Sequence, residues 1–302
     1  MPKEKSGLSN ARRYESIIGY LFCAPSFLGF LFFVLIPVIY AGALSFSKIN
    51  LFTNATTFVG FQNYAALART TRFETILGNT LWYMIIATAC NTVIGLLLAI
   101  ALNNQLGRRT SIAFRAVYFF PSLVGLVFVA IIWQYLFQSD MGIINYYLGK
   151  LGIDKIAWLS SKTWSKISVV ILDVWKNAGM SMLLILAGLQ NINPSYQEAA
   201  HIDGANGWKI FWHITLPCAS PTIFFVLVMH MTGALRIFES VTVLTGGGPG
   251  DASRSLVMLI AEKGFASYDY GGASAISMVL LLIIALFTLL QFISSKWWVH
   301  YE

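Results

Sequence analysis

Asp173 and Lys176, and farther along Arg236 and Glu239, are ionisable residues set inside stretches otherwise apolar enough to cross a bilayer. A charge at that depth is costly, so by default it marks a function or faces a partner. The three-residue spacing within each pair puts both members on one helical face, which suits ion pairing. Two such pairs at similar depth on antiparallel neighbours equally suit the wall of a polar path, and both readings stay open. Beside them lie groups that bind hydroxyl-rich solutes: the planar amide of Asn177 and the rings of Tyr83, Trp133, Trp175 and Phe238. With 22 Phe, 13 Tyr and 9 Trp in the chain, most rings must serve packing or the membrane interface, so ring identity alone singles out none of them.

Covalent chemistry has no foothold. No GxxxxGK[ST] phosphate loop occurs, so the chain cannot itself be an ATPase and its energy must come from elsewhere. Cys23, Cys90 and Cys218 are odd in number, sit in or beside apolar segments and lack metal-ligand spacing. No catalytic residue, cofactor or metal is expected. The glycine run Gly246, Gly247, Gly248, Pro249 and Gly250 has no strand before it and reads as a flexible outer loop rather than a phosphate cradle.

The elements that must position these residues are membrane helices. Of 302 residues 57% are hydrophobic and 11% charged, whereas soluble domains carry about a quarter charged residues, and the mean hydropathy is +0.69. The net charge of +7 is spread over short loops and the N-terminal tail, where it sets topology or meets lipid head groups instead of nucleic acid. Six stretches reach the roughly 20 apolar residues a span needs: 17–44, 76–102, 116–137, 167–189, 222–244 and 272–294. The expectation is an all-α integral membrane protein with one six-helix domain over 17–294, between cytoplasmic tails at 1–16 and 295–302. The basic, polar start precedes a long apolar run with no small-residue cleavage pattern, which reads as a retained helix. Pro25 and Pro37 should kink it.

Orientation follows from the connection 103–115, short and carrying Arg108, Arg109 and Arg115 with no acid, which reads as cytoplasmic. Lys3, Lys5, Arg12 and Arg13 of the tail share that side. A raw Lys plus Arg tally comes out level, because the longer outer loops carry Lys150, Lys155, Lys162 and Lys166, but longer loops weigh less. Residues 108 and 209 are thus expected in the cytoplasm, 155 and 251 outside. Lys296, Trp297 and Trp298 after the last span resemble an interfacial belt.

The connection 190–221 is long, cytoplasmic by this count and amphipathic. Asn193 and Pro194 suit a helix start, Gly204 a left-handed helix end, and a second helix is expected from Asn206 to Pro217. Glu198, Ala199, Ala200, three further residues, Gly204, nine more, then Ile214, Thr215, Leu216 and Pro217 resemble the EAA loop of ATP-binding-cassette (ABC) importer permeases. FVGFQNY at 58–64, LAGLQ at 186–190, LTGGGP at 244–249 and YGGASAI at 270–276 resemble the carbohydrate-uptake branch, of maltose and glycerol-phosphate type. The resemblance implies a type I importer fold in a bacterial-type inner membrane. It implies a second permease forming a heterodimer, a cytoplasmic ATPase dimer docked on Glu198, Ala199, Ala200, Gly204, Ile214, Leu216 and Pro217, and an extracytoplasmic solute-binding protein meeting Gly246, Gly247, Gly248 and Pro249. The solute would be a sugar, polyol or glycerol-phosphate-like compound. The reading that occupies Glu198 locally is a capping box with Ser195. The rivals to transport by this route are an ion-coupled secondary transporter, which needs no EAA loop, and a non-transporting membrane scaffold.

Overall fold

A computed structural model describes residues 4–50, 53, 55–103 and 108–300. Lys3 and the side chains of Lys5, Arg12, Arg13 and Arg108 lie outside the described residues.

Apolar runs this long form helices because a backbone in hydrocarbon must satisfy its own hydrogen bonds. Helix α1 (Glu4–Phe30) includes most of the expected tail and passes through a π-helical turn, Leu31–Leu35, into α2 (Ile36–Ser45). A short antiparallel hairpin of β1 (Ser47–Asn50) and β2 (Ala55–Phe58) follows, pairing Ser47 with Phe58, and then α3 (Gln62–Ala68). The long helices are α4 (Thr71–Asn103), α8 (Lys162–Gln190), α11 (Leu216–Leu235) and α14 (Tyr270–Trp298). Between α4 and α8 come α5 (Arg108–Leu123), α6 (Leu126–Leu136) and α7 (Ile143–Lys150). Helices α9 (Pro194–Ile202) and α10 (Gly207–Ile210) precede α11, with α12 (Glu239–Leu244) and α13 (Leu256–Ala261) between α11 and α14.

Five helices are long and apolar enough to span, and the pair α5 and α6, bent by 97°, is a sixth candidate when counted as one broken span. Two expected spans are therefore not simple rods. The third breaks at Val124 and Gly125. The fifth starts earlier than expected, at Gly207, and stops at Leu235, so Arg236 and Phe238 fall in a break before α12 and Glu239 opens α12 itself. Nor does a helix end at Pro217. Pro37 and Pro217 each follow a π-helical turn, Leu31–Leu35 and Phe211–Thr215. A proline ring collides with the carbonyl four residues back, and the widened turn accommodates it while the helix runs on.

Lipid offers no hydrophobic force between helices, so the bundle relies on close packing. Helix α8 is central and lies against α4, α5 and α11. At Gly179 a Cβ would collide with the backbone of Tyr118 and Phe119, so only glycine lets α5 approach there. Three buried clusters fill the bundle. One, around Tyr83, Phe137, Trp158 and Leu172, joins α4, α6, α8 and α12. A second, around Ile76, Leu235, Leu256 and Ile276, joins α4, α11, α13 and α14. The third, around Ala99, Ile185, Leu186 and Val226, joins α4, α8 and α11 near the loop 190–221.

Candidate functional site

The membrane-depth charges do not pair with one another. Among the described residues no ion pair joins Asp173, Lys176, Arg236 or Glu239. Asp173 accepts hydrogen bonds from the amides of Asn91 (2.8 Å) and Asn177 (3.0 Å). Lys176 donates to backbone carbonyls of Val124 (2.6 Å) and Ser122 (3.2 Å). Arg236, exposed, donates from Nε to the Thr232 carbonyl (3.2 Å). The Arg236–Glu239 pair implied by the three-residue spacing fails because the helix stops at Leu235, which takes the two off a common face, and the Asp173–Lys176 pair, on the unbroken α8, fails because each side chain is directed to other partners.

Asp173, Arg236 and Glu239 share a cavity of about 310 Å³ lined also by Leu126, Asn177, His230 and Phe238, among others, while Lys176 lies outside this lining. Its walls are the two broken spans facing across α8. Irregular backbone at membrane depth is tolerated where it lines a cavity or is buried in protein, and here each break has a partner for its carbonyls. Lys176 serves the first, and Ser255 donates to the Ile237 carbonyl (2.6 Å) in the second. His230, absent from the sequence-derived candidates, reaches the cavity hydrogen-bonded to Ser181 (2.6 Å). Its only sequence signal is a polar residue in an apolar run. Tyr83 does not line the cavity: it is fully buried and donates to the Ser253 carbonyl (2.9 Å). Trp133 and Trp175 meet edge to face, 5.7 Å between ring centres, outside this lining.

The loop 190–221 forms from strong local signals. Asn193 caps α9 by accepting from the Ser195 amide (3.0 Å), with Pro194 at the first helical position. Gly204 has φ +77°. The Gly204 amide bonds to the His201 carbonyl and the Ala205 amide to the Ala200 carbonyl, a Schellman ending that needs a left-handed residue. Asn206 then caps α10 through the Lys209 amide (2.9 Å). With Asn193 as the cap, Ser195 lies inside the helix and the capping box with Glu198 does not form. Glu198 is exposed and has no hydrogen-bond or ion partner among the described residues. Beside it Ile202 is 88% and Trp208 70% exposed; Trp208 meets the rings of Phe211 and Trp212, and both side chains leave most of their apolar surface open among the described residues. Sequence reasoning passed over these two, since apolar residues in an amphipathic helix are expected to face inward. Leu216 packs against the neighbouring cluster, while Ile214 and Pro217 are half-buried.

The glycine-rich loop is fixed by hydrogen bonds rather than loose. Ser253, fully buried, donates to the Gly248 carbonyl (2.7 Å) and pairs with the Thr245 hydroxyl (2.8 Å). Gly246 and Gly247 are left-handed and the Gly248–Pro249 bond is cis. Next to it Arg72 binds Asp251 (2.8 Å) and Glu262 (2.8 Å), and Arg254 pairs with both acids. The Arg72 guanidinium holds both carboxyls below the ordinary carboxylate range.

Comparison with known proteins gives this geometry its context. Residues 91–299 match the family model described as binding-protein-dependent transport system inner membrane component. The arabinooligosaccharides transport system permease protein AraP of Bacillus subtilis is 37% identical, over 90% of this chain and 86% of its own. The trehalose/maltose transport system permease protein MalF of Thermococcus litoralis is 33% identical, over 94% of this chain and 96% of its own. A chain in the crystal structure of a bacterial ABC transporter involved in import of the acidic polysaccharide alginate has the same fold, with TM-score 0.83 and 24% identity, covering 94% of this chain and 98% of that one.

Proposed function

The chain belongs to the family of binding-protein-dependent transport system inner membrane components, and from that premise we propose that it is the permease subunit of an ABC importer that takes up a sugar or a related polyol or glycerol-phosphate-like solute. The observation that carries the solute path is the meeting of two broken spans at one polar cavity, with Asp173, Asn177, His230, Arg236 and Glu239 in its wall. Discontinuous helices place backbone groups and side chains at membrane depth together, as transporters use them. The sugar class is supported by relatives such as AraP and MalF, whose names specify arabinooligosaccharides and trehalose or maltose.

The loop 190–221 is the contact for a separate ATPase dimer, with Glu198, Ile202 and Trp208 presented to it. The path is completed by a second permease, and solute is delivered by an extracytoplasmic binding protein that meets the loop of Gly246, Gly247, Gly248 and Pro249. That loop's hydrogen-bonded rigidity suits a docking surface, because little ordering remains to be done on contact. The protein resides in the inner membrane with both termini in the cytoplasm and lipid around its outer helices.

The test is reconstitution of this chain with a second permease, an ATPase and the binding protein in vesicles, measuring uptake of that binding protein's ligand. Uptake that requires ATP and all four components is expected. Uptake driven by an ion gradient without the ATPase would replace this reading with a secondary transporter.

A further inference from the structure

Lys176 sits one turn beyond Asp173 on α8, yet its ammonium does not line the cavity. It lies at the break of the third span, where α5 ends with Pro121 within its last turn and α6 starts after Gly125. A helix end leaves its last carbonyls without intrahelical donors, and at membrane depth water cannot replace them. Lys176 Nζ supplies the donors, reaching the carbonyls of Pro121 (3.5 Å), Ser122 (3.2 Å) and Val124 (2.6 Å). An ammonium has three protons and no acceptor, so three converging carbonyls suit it where an amide or hydroxyl would leave some unmet. A positive group at a helix C-terminus also complements the helix dipole. Three residues on, Gly179 lets the same face of α8 touch the backbone of Tyr118 and Phe119. The two positions hold the last turn of α5 from one side, and the first residue beyond the break, Leu126, forms part of the cavity wall.

We infer that Lys176 is a positioning residue for the solute path, pinning the broken third span so that Leu126 and α6 close one side of the cavity, and does not itself contact solute. The inference takes the cavity as the path proposed above, but the pin can be tested without knowing the solute. The full chain is used in membranes, with Cys23, Cys90 and Cys218 replaced by alanine and a reporter Leu126→Cys. A water-soluble maleimide measures how fast position 126 reacts. Lys176→Met keeps side-chain length but removes the donors, and Lys176→Arg keeps donors.

Lys176→Met should change the labelling rate at 126 by about tenfold, the scale of losing a hydrogen bond to a charged donor, and Lys176→Arg should restore most of it. In the reconstituted importer, Lys176→Met should lower the maximal uptake rate with little change in half-saturation. An unchanged labelling rate in Lys176→Met, or a raised half-saturation with the maximal rate kept, would overturn the pin and return Lys176 to solute contact. If Lys176→Met does not accumulate in the membrane, Lys176→Gln, with two donors, takes its place and should fall between Met and Arg; labelling indistinguishable from wild type would then reject the proposal. A labelling shift together with failed ATP-driven uptake by the wild type would leave the pin standing and remove the functional reading.

Discussion

At the scale of single residues, what the sequence discloses depends on how near the partner lies. Gly204 and Asn193 are legible because their partners sit within five residues along the chain. Lys176 is not, because its acceptors are 52 to 55 residues away, and Asn91 is 82 residues from Asp173. At Gly204, φ +77° is strained for any branched side chain, although the space where a Cβ would stand is open. Gly204→Val therefore costs about 1–3 kcal/mol in the turn and should reorient α9 against α10. The expected result is reduced copurification of the ATPase, while cavity residues keep wild-type labelling; full retention of the ATPase would refute the docking role of this turn. Arg236 and Glu239 give a second prediction. Since they form no ion pair, neutralising the acid alongside Arg236→Ala should not restore transport lost in Arg236→Ala alone. Recovery of uptake in the Arg236→Ala, Glu239→Gln double variant would show a pair that forms in another state.

At the scale of elements, apolar runs located five long spanning helices and the bent pair α5 and α6, but hydropathy is blind to a break made by remote donors. Lys176 and Ser255 satisfy the backbone of the two broken spans, and a sliding average counts both spans as continuous. The glycine-rich loop teaches the same lesson. Four glycines and a proline suggest mobility, yet Ser253, Thr245 and Tyr83 fix the run from within and from a distant helix. The four-charge cluster of Arg72, Asp251, Arg254 and Glu262 ties that loop to the start of α4 and to the end of α13. Asp251 and Glu262 have depressed folded-state pKa values, mainly from Arg72. Their contribution is thus fully present above ordinary carboxylate values near 4 and is lost as pH falls through the lower folded values. Arg72→Met removes the Arg72 share of it, the largest, at all pH, and leaves that of Arg254. The gap in Tm between wild type and Arg72→Met should stay constant from neutral pH to about pH 5 and close below about pH 4. A gap that widens on acidification would contradict the assigned sign.

At the scale of the whole molecule, orientation rests on parity and on a short basic connection. The tally of positive residues alone is undecided, and the structure shows why the outer lysines are weak witnesses. Lys155 is paired with Asp140 at 3.1 Å, Lys150 lies over the Tyr146 ring at 4.5 Å, and Lys166 over Trp82 at 5.3 Å. Such residues have local reasons to be basic that owe nothing to topology. Arg109 and Arg115, by contrast, have neither an ion pair nor a cation–π contact among the described residues. They follow a connection too short to pass a charge across the membrane easily, which is the circumstance in which positive residues stay inside. The 29-residue helix Lys162–Gln190 is one of the five helices long and apolar enough to cross, and a crossing there puts positions 155 and 209 on opposite sides whichever way the chain is inserted. Lys155→Cys and Lys209→Cys, each in the cysteine-replaced background, make the test. In intact cells an impermeant maleimide should label position 155 and spare 209, and permeabilised membranes should label both. Labelling of 209 but not 155 from outside would invert the molecule, place Glu198 and Trp208 away from any cytoplasmic ATPase and end the importer reading. Labelling of both from outside would mean that α8 does not cross, and with it the six-span fold would fall.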